Sequence, residues 1–295
     1  MIGLAHASNI AIYGAMAALT VAMFAFALSW SAGRRRGSEG DPGRRAANVG
    51  MSLTWLSFGL LFLGVVLRGL WAGRAPWGNM YEFAITASLV ILGLFLAMSL
   101  RMDVRWLGIF VVIPVLLTLG LAITVLYSES AQLVPALRSY WLVIHVSAAI
   151  ICVATFTVAA ALSALAIIKS FAQRRAVSRG TDPAAVLARV PEVERLRMIT
   201  YRIVAFSFPL WTFVVVAGAI WAEVAWGRYW GWDPKETWAF ITWVLYAAYL
   251  HALSTKGWSG DRASWIAIAG WMSFVFNFLG VNLFFTSLHS YAGVG

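Results

Sequence analysis

Only one cysteine, Cys152, occurs in 295 residues, and it lies inside an apolar run. An internal disulfide, a cysteine metal cluster and a CxxCH segment are all excluded by that count. Charge is scarce as well: Asp, Glu, Lys and Arg make up 12% of the chain against 61% hydrophobic residues. So few polar side chains cannot cover a water-soluble globule, and the apolar residues come in long runs, so the chain is assigned to a bilayer. The 12 acidic residues are outnumbered by 22 Lys and Arg, a formal charge of +10. That surplus does not read as a nucleic-acid surface. The basic residues fall in short segments between apolar runs, where they anchor and orient helices.

What is present is hydrophobic length. A spanning helix needs about 20 largely apolar residues, because the hydrocarbon layer is about 30 Å thick and a helix rises about 1.5 Å per residue. Eight stretches qualify, near 8–30, 51–71, 81–100, 107–126, 140–168, 203–222, 238–254 and 265–287. The expected fold is all-α, a single integral membrane domain over 1–295 with about eight transmembrane helices. Segment 169–202 is long and basic, with Asp182-Pro183 and Pro191-Glu192, and reads as a cytoplasmic loop with some amphipathic helix. The loops at 31–50, 100–106, 169–202 and 254–264 hold 17 of the 22 basic residues. Positive loops resist translocation, so these face the cytoplasm and both termini are expected on the outer face. The first apolar run has no basic residue before it and Arg34, Arg35 and Arg36 after it, the reverse of a cleavable signal, so it is expected to stay as a helix. No internal sequence repeat is visible.

Tryptophan is abundant, at 16 residues, and Trp221, Trp226, Trp230, Trp232, Trp238 and Trp243 crowd one short region. The topology puts the stretch 223–238 on the outer face, where its indoles are expected to form a broad polarizable wall at the membrane surface. An ordinary aromatic belt explains scattered cases such as Trp106, Trp258 and Trp265. It explains a Gly-spaced run poorly, since Gly227 and Gly231 suggest a backbone that a flat ligand can approach closely. Asp233 precedes Pro234 and has Glu236 three residues on, the signature of a helix start, which would hold the tryptophans in a fixed frame. Asn79 and Glu82 have the same spacing before the third helix.

Four histidines remain. His145 and His289 share the depth of the tryptophan segment, and two neutral imidazoles from different helices can bind a haem iron from opposite faces. His251 falls 17 residues after Pro234, about 26 Å along a helix, and cannot join them. It marks a possible second haem station lacking a mate in this chain. His6, near the N-terminus, suggests no role. Asn277 and Asn282, deep in the eighth helix, need hydrogen-bond partners, either for packing or to orient a ligand imidazole. Arg228 and Lys235 are the cations available to two haem propionates.

The run Trp226-Gly-Arg-Tyr-Trp-Gly-Trp-Asp-Pro-Lys-Glu-Thr-Trp238 resembles the "WWD" motif of the haem-handling family. Asn79-Met-Tyr-Glu82, His145, His251, Leu279-Gly-Val-Asn-Leu283 and His289-Ser-Tyr-Ala292 are similar to the CcsA/ResC branch, also named CcsB. The resemblance implies axial ligation by His145 and His289, which are candidate catalytic residues with Trp232 and Asp233. It implies a haem-binding set of Trp226, Trp230, Trp232, Asp233, Trp238, Arg228 and Lys235, with His251 accompanying haem from the cytoplasm. It further implies a holocytochrome c synthase acting on haem b, with ferrous iron, and on the CxxCH segment of apocytochrome c. The expected partners are a Ccs1/ResB-type membrane subunit and thiol-reducing, thioredoxin-like proteins, in a cell or thylakoid-type membrane. Rival readings are haem delivery without ligation, as in CcmC, a haem-b electron-transfer subunit, and a transporter without haem.

Overall fold

Long apolar runs broken by short polar segments leave the backbone one way to satisfy its hydrogen bonds in lipid, which is to coil into helices. The computed structural model describes residues 2–32, 41–129, 140–183, 187–255, 257–258, 260–285 and 288. Its described residues form an all-α protein with α1 (Ile2–Ser31), α2 (Pro42–Ala72), α3 (Met80–Ser99), α4 (Gly108–Thr124), α5 (Tyr140–Ser178), α6 (Val193–Trp226), α7 (Pro234–Ser254), α8 (Asp261–Val275) and α9 (Val281–Phe284). A π-helical turn, Phe276–Gly280, joins α8 to α9, making one rod of Asp261–Phe284. Among the described residues, seven helices are long and apolar enough to cross a membrane. The remaining stretch, α7, is helical for 21 residues, but Lys235, Glu236, His251 and its Trp and Tyr residues reduce its hydropathy.

The helices divide into two compact units, the first holding α1 to α4 and the second α5 to α9. In the first, α1 and α2 run antiparallel and meet through small residues. Ser8 Oγ donates to Gly64 O at 2.7 Å, and Ser57 Oγ donates to Ala15 O at 2.9 Å. Such hydroxyl bonds and close backbone approach replace the hydrophobic drive that is weak between helices in lipid.

In the second unit α5 is the most buried span. Its contacts with α6 run antiparallel: His145 meets Val214 and Cys152 meets the carbonyl of Ser207, and further along Lys169 meets the carbonyl of Val190 just before α6. Phe156 of α5 stacks on Tyr246 of α7 with ring centroids 3.9 Å apart. Indole N–H groups tie the helices further, from Trp211 to Ala239 O, from Trp243 to Thr212 Oγ1 and from Trp271 to Thr157 Oγ1. A buried indole keeps its position when that donor is satisfied. At the end of the unit away from the tryptophan turn, Asp261 binds Ser170, Arg174 and Arg197, which fixes the start of α8 against α5 and α6.

Candidate functional site

The turn between α6 and α7 owes its shape to two carboxylates. Gly227 ends α6 in the left-handed conformation, φ 69°, and Asp233 caps α7. Glu236, the third residue of α7, reaches back. Its Oε2 accepts from Gly231 N at 2.8 Å and Asp233 N at 3.1 Å, and its Oε1 lies 3.4 Å from Arg228 Nη1. The capping box foreseen at Asp233 is therefore complete. Glu236 does more than cap, because the one side chain holds three points of the turn.

Asp233 also faces two ways. Oδ1 accepts from Lys235 N at 3.0 Å, while Oδ2 accepts from Leu288 N at 3.0 Å. The second bond ties Leu288 to the tryptophan turn and had no signal in the sequence. Desolvation pushes the Lys235 ammonium down to about 8, although the Asp233 carboxylate beside it acts in the opposite direction.

Gly231 has a different reason from the one its spacing suggests. A Cβ there would stand 1.7 Å from Arg228 Nη1, so the absent side chain seats the guanidinium. The indoles of the turn and its flanking helices make ring contacts in several places. Trp230 and Trp232 meet edge to face, 5.7 Å apart at 90°, and Trp232 continues to Phe240. Trp238 packs on Phe276, 4.3 Å away. Trp226 leans on Trp221 at 5.5 Å, and Trp221 lies 6.0 Å from the His145 ring. Trp232 is 65% exposed and has φ 57°, so the turn holds a large apolar ring outward in a conformation that disfavours it.

His145 sits in the second turn of α5, half-buried. Its Nδ1 is 3.0 Å from Val214 O. A carbonyl can only accept, so Nδ1 carries a proton, and in the neutral ring the lone pair lies on Nε2. Gly218 makes this possible, since a Cβ there would lie 2.9 Å from His145 Cε1. Neither Val214 nor Gly218 stands out in the sequence. Their only signal is a position one helical turn apart on α6.

His251 is exposed near the far end of α7, and its imidazole has no hydrogen-bond partner among the described residues. His289 lies outside the described residues, directly after Leu288. Asn282 Nδ2 donates to Phe278 O at 2.6 Å, four residues earlier in the same segment. Asn277 is buried in the π-helical turn, and its Oδ1 has no partner among the described residues.

Residues 77–289 match the Cytochrome C assembly protein family. Curated relatives include a "Cytochrome c biogenesis protein CcsA" of Guillardia theta, 42% identical over 55% of this chain and 58% of that one. The CcsA of Chlamydomonas reinhardtii is 37% identical over 79% of this chain and 65% of that one. The CcsA of Prochlorococcus marinus is 35% identical over 79% and 80%. The chain thus spans 58% and 65% of the length of the first two. Among solved structures, "Cytochrome c Heme Lyase CcmF" is similar in fold with a TM-score of 0.69 at 16% identity, over 99% of this chain and 48% of that one.

Proposed function

The chain belongs to the cytochrome c assembly protein family, among CcsA proteins, and from that membership we propose that it presents haem b at the Trp226–Trp238 turn for attachment to the CxxCH segment of apocytochrome c. The observation that supports this most directly is the His145 Nδ1–Val214 O bond. An imidazole held by its Nδ1 proton has a fixed tautomer and ring plane and offers Nε2 to a metal, the usual arrangement behind a metal-binding histidine. His289 is the second axial ligand in this reading. The Asp233–Leu288 bond supports it, because it ties the residue next to His289 to the turn.

Haem is the substrate. Trp226, Trp230, Trp232 and Trp238 offer ring faces and edges to the porphyrin. Arg228 and Lys235 take its propionates, and a propionate beside Lys235 would offset the desolvation of its ammonium. Each thiol of the incoming peptide adds across a vinyl group: a C–S bond forms, the thiol hydrogen goes to the neighbouring carbon, and no outside electron is needed. The chain contributes position, by holding the porphyrin while the peptide docks. The peptide histidine then replaces His145 or His289, which releases the product. His251 serves a second haem station, with its mate in a Ccs1/ResB-type membrane subunit. The turn faces the outer side, both termini with it, and thioredoxin-like proteins keep the thiols reduced.

Co-expression with and without the companion subunit, scoring covalent haem on a CxxCH reporter, tests the activity. His145→Gly and His289→Gly are each expected to lower the Soret band and the covalent yield, with partial rescue by imidazole. Gly218→Val, which displaces the His145 ring, should resemble His145→Gly. An unchanged spectrum in these variants rejects the ligands. A normal Soret band with no covalent haem in any pairing leaves CcmC-like delivery in place of ligation.

A further inference from the structure

The turn between α2 and α3 repeats the plan of the tryptophan turn. In each, a left-handed glycine ends a long helix, Gly73 with φ 63° and Gly227 with φ 69°, and an arginine follows directly. Five residues after the arginine, Asn79 or Asp233 caps the next helix with its side chain, and Glu82 or Glu236 is that helix's third residue. Each glutamate accepts a turn-glycine N–H at 2.8 Å, from Gly78 or Gly231, and pairs with the arginine, Arg74 or Arg228. The shared pattern is Gly-Arg-x4-Asx-x2-Glu, too sparse to register as a sequence repeat.

The two turns differ in charge. At the tryptophan turn two carboxylates, Asp233 and Glu236, stand among two cations, Arg228 and Lys235. At the other turn Asn79 replaces the aspartate, and a second arginine, Arg68, enters from α2. Arg68 Nε lies 3.1 Å and Arg74 Nη1 2.7 Å from the one carboxylate of Glu82. Arg68 is 1% and Glu82 0% exposed. Arg68 stacks against Trp71 and Tyr81 and donates to Ser128 O, which holds the guanidinium without neutralising it. Glu129, the next residue, is exposed and pairs with neither arginine. Two buried or half-buried cations on one anion leave the cluster one negative charge short. Trp77 Nε1, also in the turn, is a buried donor with no acceptor among the described residues. Arg74 is 18% exposed and gives access from outside.

We propose that the α2–α3 turn is an anion site that takes one net-negative phosphate group at Arg74, where the turn joins two apolar membrane helices. An acidic lipid headgroup fits a guanidinium at that depth, and free phosphate shares its chemistry. The site does not depend on haem, so its failure and that of the haem reading are separable.

Purified protein in nanodiscs provides the test, with native mass spectrometry counting retained phosphatidylglycerol against phosphatidylcholine. Wild type is expected to prefer phosphatidylglycerol by about tenfold, the usual gain of one charge-assisted bond. Asn79→Asp keeps the cap, since both residues cap well, and supplies the missing charge. It should bring the preference to near parity. Arg74→Gln should do the same and serves if the first variant fails to fold. Competition by millimolar inorganic phosphate identifies free phosphate as the occupant, and a preference untouched by it identifies the lipid. Because the chain carries other basic segments, the difference between wild type and variant is what counts. Equal binding of the two lipids by wild type, or a full preference surviving in both variants, overturns the site.

Discussion

The α2–α3 turn and the α6–α7 turn show one backbone design with two purposes. In the first, Glu82 is fully buried and clamps two guanidiniums, so the turn is locked by charge and hides its aromatic rings against Arg68. In the second, Glu236 mostly holds backbone N–H groups, its arginine is a loose 3.4 Å away, and a tryptophan is pushed outward at positive φ. A helix–glycine–arginine–cap–glutamate turn is therefore a chassis, and the number of cations on the glutamate sets whether it is a lock or a display.

The largest expected effect falls on the lock. Glu82→Ala leaves Arg68 and Arg74 without their anion and should cost about 3–5 kcal/mol, read as loss of membrane accumulation and early unfolding in detergent. A mild effect there would equate the two turns and break the contrast. Next comes Glu236→Ala, which frees two N–H groups and should cost about 2–3 kcal/mol locally. The protein still accumulates, while covalent haem on a reporter falls by about tenfold or more. Glu236→Gln, which retains an acceptor, should lie between.

Smaller again is the strain at the displayed ring. Trp232→Gly relieves the left-handed backbone and Trp232→Ala does not, so the glycine variant should be the more stable by about 1 kcal/mol in thermal unfolding. Both remove the indole and should lower reporter maturation alike, which separates stability from function at one position. Last in stability is Asp233→Asn, expected to cost about 1 kcal/mol, because asparagine keeps the cap but turns an amide NH2 toward the N–H of Leu288 and loses that bond. If the aspartate serves only as a cap, maturation stays normal in that variant.

The sequence reveals hydrophobic length and helix starts because both depend on neighbouring residues. The apolar runs, the caps at Asn79 and Asp233 and the tryptophan-rich turn are all of that kind. Partners far apart in the chain stay hidden. Arg68 lies inside the apolar stretch 51–71 with no local mark of Glu82, the residue it pairs with across a turn. Gly231 suggests an open approach for a flat ligand, but the Arg228 guanidinium occupies that space. The tautomer of His145 depends on Val214 and Gly218, 69 and 73 residues away, and no local pattern marks them.

The π-helical turn at Phe276–Gly280 shifts the register of its rod. One surplus residue rotates everything after it by about 100° relative to an unbroken α-helix. Thr242 and Tyr246 read the face set by Ser273 and Gly270, while Val281 to Phe284 present a face offset from it. Length, more than side-chain identity, is what this segment encodes: an added or lost residue would turn one face away from its neighbours while leaving every amino acid type in place.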